Sequence, residues 1–528
     1  MLAITLVAIL LAIPLSSSTI SAALLTRITG VALLYAAALS YSSSSVLSVP
    51  TLTDIISNGN SLDLGLDAGL GVYSGLIHVT TLTQTMEVFL LVTGACILLP
   101  WSASLNTNAS GYVRASASTP TIPEYPMVIV LSLIGSTFLM TAADLVTVYL
   151  AIELQSFGVY ILAALYRDSE SATAAGLKYF LLGALSSALI IFGSALIYAY
   201  TGLTNLDSIY ELLSVPSSAT GESYTQVVVL GFVIISVGFL FKVASAPFHY
   251  WAPDVYDGAP TVVRTWLTVM PKISIFVLLL EMFRGIDVAN VIQLGINTNL
   301  YLICSFLSLV VGKVVGLSQY RIKRLLTYST ISHVGFLLLA LGVAGPTGSD
   351  SVDAMLFYIV QYSLTNLDAF FIVLATGYFL NSGVLAFGQE GTSTDIQFTS
   401  QLQGLFRHNP MLSISFALCL FSMAGVPPLV GFFGKYSVLY APMHNGYVYL
   451  ALVGILASVV SAVYYLRIVA VVHFNAPVQT GGTPSAFALT SVHSYVIATL
   501  TLFVLLFALN PTLILNSTSL MALSLYTT

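Results

Sequence analysis

Six lysines in 528 residues, five of them inside apolar stretches, are the groups of this chain best placed to do chemistry. They are Lys178, Lys242, Lys272, Lys313, Lys323 and Lys435, and Lys323 alone, beside Arg321 and Arg324, reads as solvated. An ammonium at the bilayer centre costs from ~3 kcal/mol on insertion scales to ~10 kcal/mol or more in simulation. A chain that places most of its lysines this way is expected to move charge, most simply protons. Lysine suits that work because desolvation weakens its hold on a proton and a nearby carboxylate strengthens it again. Arginine, which does not deprotonate, would fail.

Each buried ionisable group needs a partner or water. Glu153, in VYLAIELQSFGVYIL, is either a structural salt-bridge partner or an acid that exchanges protons with a lysine. Lys178, in GLKYFLLGAL on the next span, is the expected partner of Glu153. Lys242 in GFLFKVASAP, Lys272 in TVMPKISIFV and Lys435 in GFFGKYSVL extend the line. His333, in YSTISHVGF, has Ser329, Thr330 and Ser332 as hydroxyl neighbours, and histidine titrates near neutral pH. His249 is a further candidate, the alternative being a hydrogen bond to freed backbone. Lys313 is expected to snorkel towards the basic segment at 321–324, Asp368 to bond a facing helix, and Asp144 to lie at the interface. His408, His444, His473 and His493 suggest no metal cluster. Cys96, Cys304 and Cys419 read as small buried hydrophobes, without disulfide, thiolate-metal or iron–sulfur spacing.

The elements that must hold these groups are membrane helices. The chain is 57% hydrophobic and 7% charged, against about 25% charged in a soluble domain, which leaves no room for a sizeable soluble domain. The net charge of -6 offers no basic patch for nucleic acid. Apolar runs of roughly 20 residues fall near 2–16, 25–42, 83–101, 124–142, 144–165, 174–200, 225–247, 262–283, 290–315, 325–344, 352–380, 411–437, 447–474 and 486–509, which predicts an all-α polytopic membrane protein of about fourteen spans. The opening MLAITLVAILLAIPLS resembles a signal-peptide core without a basic n-region and is read as a retained first span. LDLGLDAGLGVYSGLIHVTTLT, between spans two and three, predicts a β-hairpin on the membrane surface. Its Gly69, Gly71 and Gly75 miss the dinucleotide spacing.

Loops joining odd to even spans hold Arg27, Arg114, Arg167, Arg264, Arg321, Lys323, Arg324 and Arg407. Loops joining even to odd spans hold Asp54, Asp63, Asp67, Asp207, Glu211, Glu222, Asp287, Asp350 and Asp353, with Arg284 near them. The positive-inside rule puts the first set on the matrix or cytoplasmic side. Spans seven and twelve are broken, by Pro247 and Pro253 in FKVASAPFHYWAPDVYDGAP and by Pro427 and Pro428 in SMAGVPPLVGFFGKY. Such backbone persists in a bilayer only where it is buried in protein or lines water. Breaks five spans apart, each with a lysine beside it, suggest two inverted five-helix repeats with function near the midplane. Two unrelated proline kinks are the plainer alternative. The resulting division is 1–120 (spans one to three and the hairpin), 121–285 (spans four to eight), 286–475 (spans nine to thirteen) and 476–528 (span fourteen).

KYFLLGALSSALIIFGSALIYAYTG, FKVASAPFHYWAPDVYDGAP, GLSQYRIKRLLTYSTISHVGF and AGVPPLVGFFGKYSVL resemble the antiporter-like proton-pumping subunits of respiratory complex I, most closely the subunit 2 branch called subunit N in bacteria. The resemblance covers about residues 120–475. It implies fourteen spans and two half-channels joined by a hydrated axis. It also implies a relay of Glu153, Lys178, Lys242, Lys272, His333 and Lys435, with the Glu153–Lys178 pairing as its switch. Lysine at 435 points to the subunit 2 branch, while Lys313 and Asp368 depart from the bacterial pattern. No cofactor is expected on this chain; NADH, FMN, iron–sulfur clusters and ubiquinone are implied in partner subunits. Other membrane-arm subunits are the implied partners, with membrane lipid, cardiolipin being a candidate. The low charge and the lack of an Arg-rich presequence point to an organelle-encoded protein of the mitochondrial inner membrane, a bacterial plasma membrane being the alternative. Two rival functions are a Mrp-type cation/proton antiporter subunit and a membrane subunit whose polar residues are structural.

Overall fold

The computed structural model describes residues 1–15, 22–47, 69–98, 122–166, 169–214, 222–288, 296–344, 349–385, 395–475 and 491–526. Arg114, Arg167, Asp54, Asp63 and Asp67 of the charge pattern lie outside them. In chain order the helices are α1 (Leu2–Leu15), α2 (Ala22–Leu47), α3 (Thr81–Leu98), α4 (Tyr125–Thr141), α5 (Leu145–Ala164), α6 (Glu170–Thr201), α7 (Leu206–Ser214), α8 (Glu222–Val243), α9 (Ala252–Gly258), α10 (Thr261–Val288), α11 (Ile296–Leu317), α12 (Ile322–Val343) and α13 (Ser349–Leu385). After a helical turn at Leu405–His408 come α14 (Pro410–Ala424), α15 (Val430–His444), α16 (Val448–His473), α17 (Ser491–Leu506) and α18 (Thr512–Tyr526). Among the described residues, 11 helices are long and apolar enough to cross a membrane, and shorter apolar helices lie at Leu2–Pro14, Tyr125–Thr141, Pro410–Ala424 and Thr512–Leu525. The protein is therefore an all-α polytopic membrane protein. The expected hairpin is present as two antiparallel strands, β1 (Leu70–Val72) and β2 (Ile77–Val79). Helices α7 and α18 went unpredicted: α7 is short and amphipathic, and α18 follows an apolar span so closely that hydropathy merges the two.

Burial sorts the helices by role. The spanning parts of α10, α12 and α13 are 89%, 94% and 89% buried, whereas those of α6 and α16 are each 33% buried. The first three form the centre, and α6 and α16 turn Leu177, Leu181, Leu185, Leu452, Ile455 and Leu456 outwards, where lipid tails are as apolar as the side chains. Polar side chains find partners between helices: Trp266 donates to Ser132 Oγ at 3.1 Å, Gln155 to Ser274 Oγ at 2.9 Å, and Ser236 pairs with Tyr301 at 2.9 Å. Asp144, expected at the interface, is buried as the N-cap of α5, accepting from Val146 N at 2.8 Å while its own amide donates to Thr147 Oγ1 at 3.3 Å. A first-turn carboxylate with orphan amides at hand needs no water.

The two breaks are built differently. After α8 the chain turns through Ala244 (φ 63°) to Trp251 before α9 begins. There the Trp251 indole donates to Phe241 O at 2.9 Å, and Ala246 N donates to Ser308 Oγ at 2.8 Å. The second break is capped by Gly425 (φ 91°), whose amide returns to Phe421 O and Ser422 O at 3.0 Å each. Gly431, at the start of α15, packs against the Ser422 carbonyl so closely that a methyl group has no room, and its amide donates to Ser422 Oγ at 3.1 Å. Gly431→Ala is expected to destabilise the protein by about 1–3 kcal/mol through overpacking. A melting temperature in detergent equal to the parent's would refute that close approach.

Candidate functional site: a line of buried cations across two broken helices

Lys242 is the last residue but one of α8, and the break that follows lets its side chain turn into the space between α5 and α6. Its Nζ lies 3.6 Å from Glu153 Oε1. It donates to Ser156 Oγ at 2.7 Å and to Ser187 Oγ at 3.0 Å. Glu153 and Ser156 share a face of α5 because they are three residues apart. The ammonium thus donates to two hydroxyls and has one carboxylate in ion-pair range, whose Oε1 accepts no hydrogen bond among the described residues.

The expected Glu153–Lys178 pair does not form; Lys178 pairs instead with Asp254 on α9. The reason is helix register. Lys242 bridges Ser156 and Ser187, so those residues are level, and Lys178 stands nine residues along α6 from Ser187, about 13 Å at the helical rise. It reaches the end of the bundle, where Asp254 also accepts from Arg324 at 3.1 Å. Asp257 accepts from Arg324 Nε at 3.0 Å and from Arg321 at 2.7 Å. This network joins α6, α9 and the start of α12. Asp254 and Asp257 are residues the sequence analysis missed; the signal was there, two acids just past the first break and three basic residues at 321–324. Lys323, read as solvated, is 6% exposed and ties Ala259 O (3.0 Å) to Asp395 (2.8 Å). Arg264, assigned to a loop, is buried inside α10, donating to the Lys323 carbonyl and to Thr327 Oγ1 (3.1 Å) with its guanidinium over the Phe370 ring.

At the centre, Lys272 is 3% exposed one residue after Pro271 of α10, and its Nζ lies 3.5 Å from Tyr362 OH. Tyr362 stacks obliquely on His333, ring centroids 5.3 Å apart, and Tyr358 OH sits 2.7 Å from His333 Nδ1. His333 Nε2 has no hydrogen-bond partner among the described residues. Lys272, Lys313 and Lys435 all lie within electrostatic range of His333. The two tyrosines come from α13, and nothing in their local sequence singled them out. Between Lys242 and Lys272 the described residues give no direct hydrogen bond; Gln155 to Ser274 is the polar link at that level.

Lys435 closes the line. Its Nζ donates to Met423 O at 2.8 Å and Ala424 O at 2.7 Å, the carbonyls that α14 leaves unpaired at the second break. Lys313 does not snorkel to the basic segment: it is 1% exposed and without a hydrogen-bond partner among the described residues. Its position on α11 faces the interior at the level of Phe336. Asp368 is fully buried, and neither carboxylate oxygen has a hydrogen bond among the described residues, contrary to the bond expected from a facing helix. His249 lies half-buried in the first break near the Pro247 carbonyl, with no hydrogen bond to the lysine line among the described residues. No group of three or more His, Cys, Asp or Glu able to hold a metal is present among the described residues.

The bundle is that of a polytopic membrane protein with buried lysines at two broken helices and His333 and Lys272 in its centre. Comparison with known proteins gives the family. Residues 142–461 match the NADH:quinone oxidoreductase/Mrp antiporter transmembrane family. The chain is 48% identical over 550 residues to NADH-ubiquinone oxidoreductase chain 2 of Rhizopus oryzae, covering 98% of each. It is 35% identical to NADH-quinone oxidoreductase subunit N of Parvibaculum lavamentivorans, over 81% of each. The structure resembles a chain of respiratory complex I from Thermus thermophilus, with TM-score 0.70 and 26% identity over 98% of this chain and 97% of that one. It also resembles a chain of the Mrp complex from a Dietzia species, with TM-score 0.74 at 17% identity over 99% and 96%, a likeness of fold. The chain belongs to the NADH:quinone oxidoreductase/Mrp antiporter transmembrane family.

The Lys178–Asp254 and Lys242–Glu153 pairs should respond differently to removal of the acid. Asp254→Asn breaks a half-exposed pair and should cost about 0–1 kcal/mol. Glu153→Gln strands Lys242 in a buried pocket and should cost about 3–5 kcal/mol. Thermal unfolding of both variants in detergent checks this; equal losses would argue that Glu153 is not the counter-ion of Lys242.

Proposed function

We propose that this chain is a proton-translocating membrane-arm subunit of an NADH:ubiquinone oxidoreductase. The observation that carries the reading is the row Glu153–Lys242, Lys272, His333 and Lys435, buried across two broken helices in a chain 48% identical to a curated chain 2. Oxidation of NADH and reduction of quinone belong to partner subunits, which hold the FMN, the iron–sulfur clusters and the ubiquinone; this chain by itself catalyses no redox step. Its neighbours are other membrane-arm subunits, with lipid, cardiolipin included, against its exposed apolar faces. The fungal and plant relatives at 48% and 37% identity favour the mitochondrial inner membrane over a bacterial plasma membrane.

The chemistry follows from the contacts. Lys242 is held by one carboxylate at 3.6 Å and two hydroxyls. Its proton affinity therefore depends on where the Glu153 charge sits and on how much water enters the break. Drawing Glu153 away releases the proton towards Lys272, and restoring it reloads Lys242. Tyr362, His333 and Tyr358 are hydroxyl and imidazole groups able to pass a proton on to the Lys435 end. Lys178, on Asp254 and beside Arg324, belongs to the charged rim and sets the field at the entrance. Moving one charge against about 150–200 mV requires about 3.5–4.6 kcal/mol, within what making and breaking one buried ion pair supplies. A cation/proton antiporter shares the fold, and sodium flux in vesicles would identify one.

The test is Lys242→Ala in the whole complex in sealed vesicles. Pumping and coupled turnover should fall together while assembly and peripheral NADH-dehydrogenase activity stay normal. An unchanged number of protons per NADH in an assembled complex would make the lysine row structural.

A further inference from the structure

Two lysines meet at the far end of the row, and the structure treats them in opposite ways. Lys435 Nζ is fixed by two carbonyl oxygens at the C-terminal end of α14. Those oxygens carry the negative end of the helix dipole and have no other use, so they favour a cation held permanently in place. Lys313 Nζ, on α11, has neither carbonyl, hydroxyl nor carboxylate among the described residues. Both ammonium positions lie 5.8 Å from the centroid of one ring, Phe336, which stands one helical turn from His333 on α12. The aromatic face offers each a weak attraction, but two full charges beside one ring inside the protein repel each other. Near Lys313 lie Lys435 from α15, His333 and Phe336 from α12 and, one turn along at Gly316, Tyr464 from α16, and among the described residues no acid forms an ion pair with it.

We propose that Lys313 is the group that takes up and gives up the travelling proton at this end of the relay, and that Lys435 is a fixed cation whose charge drives that proton off. The Lys313 amine gains one proton arriving by way of His333 and later loses the same proton, while Lys435 keeps its own throughout. An unpartnered amine can exchange without breaking a hydrogen bond, whereas Lys435 would have to leave two carbonyls to do so. The inference rests on the relay reading above and assigns to Lys313 a step that reading gave to the Lys435 end in general.

Arginine separates the two roles because it holds a charge and does not deprotonate. The experiment measures protons pumped and coupled turnover for Lys435→Arg, Lys313→Arg and Lys313→Met in the assembled complex in sealed vesicles, with Lys242→Ala alongside. Lys435→Arg, which keeps the charge, should lower coupled pumping less than Lys313→Arg does. Lys313→Arg and Lys313→Met should each lower it by about tenfold or more, an added barrier of at least about 1.4 kcal/mol. Lys313→Met serves if the larger arginine impairs assembly. Retained pumping in an assembled Lys313 variant, or a larger loss in Lys435→Arg than in Lys313→Arg, overturns the assignment. If Lys242→Ala also pumps normally, the relay reading itself has failed; if Lys242→Ala fails while the Lys313 variants pump, only this inference has.

Discussion

The structure depends on one constraint: a cation taken out of water must meet oxygen or π-electron density inside the protein, because lipid supplies neither. Each of the five lysines of the apolar stretches meets it differently. Lys242 has a carboxylate and two hydroxyls, and Lys435 has the spare carbonyls of a broken helix. Lys272 has a phenol and the face of its ring, and Lys178 reaches the rim and an aspartate. Lys313 has only the Phe336 ring beside it among the described residues. The sites therefore differ in how many oxygen partners each ammonium has, from three groups at Lys242 to none at Lys313 among the described residues.

The helix breaks serve that constraint. An unbroken helix spends every interior carbonyl on itself. Ending α14 at Gly425 frees Met423 O and Ala424 O for Lys435. Ending α8 just after Lys242 lets that side chain swing towards α5 and α6, while the freed Phe241 carbonyl is taken by Trp251. One break therefore supplies ligands and the other supplies reach. The charged rim of Lys178, Asp254, Asp257, Arg321 and Arg324 fastens α9 to the start of α12, the helix that carries His333. The two halves of the row are mechanically joined there.

Much of this was legible in the sequence. Hydropathy and length placed the main spans, because a bilayer admits helices of about 20 apolar residues and little else. Lysine, glutamate and histidine inside such spans stand out against apolar neighbours, so Glu153, Lys242, Lys272, His333 and Lys435 were all visible as single letters. The prolines marked both breaks, since each removes a helix hydrogen bond. The hairpin at 70–79 was visible in its glycines and alternation.

Partnership was not legible. Which lysine Glu153 meets depends on the sliding register of α5 against α6, and that is set by packing of small residues spread over both helices. Lys178 therefore stands about 13 Å along α6 from the level of Ser187, where Lys242 meets Glu153 and Ser156, by the helical rise over nine residues. Lys323 looked wet because Arg321 and Arg324 flank it, and Arg264 because it stands at the start of a span, yet the fold closes Asp395, Ala259 O and Thr327 over them. Tyr358 and Tyr362 are two of many tyrosines, distinguished only by where α13 brings them. The sequence by itself determined that this is a membrane helix bundle carrying buried charge at two broken spans, because the cost of those residues in lipid is local and large. Only the tertiary structure decided which charges share a pocket, because hydrogen bonds act over about 3 Å and helix register, packing and chain reversal set distances on that scale.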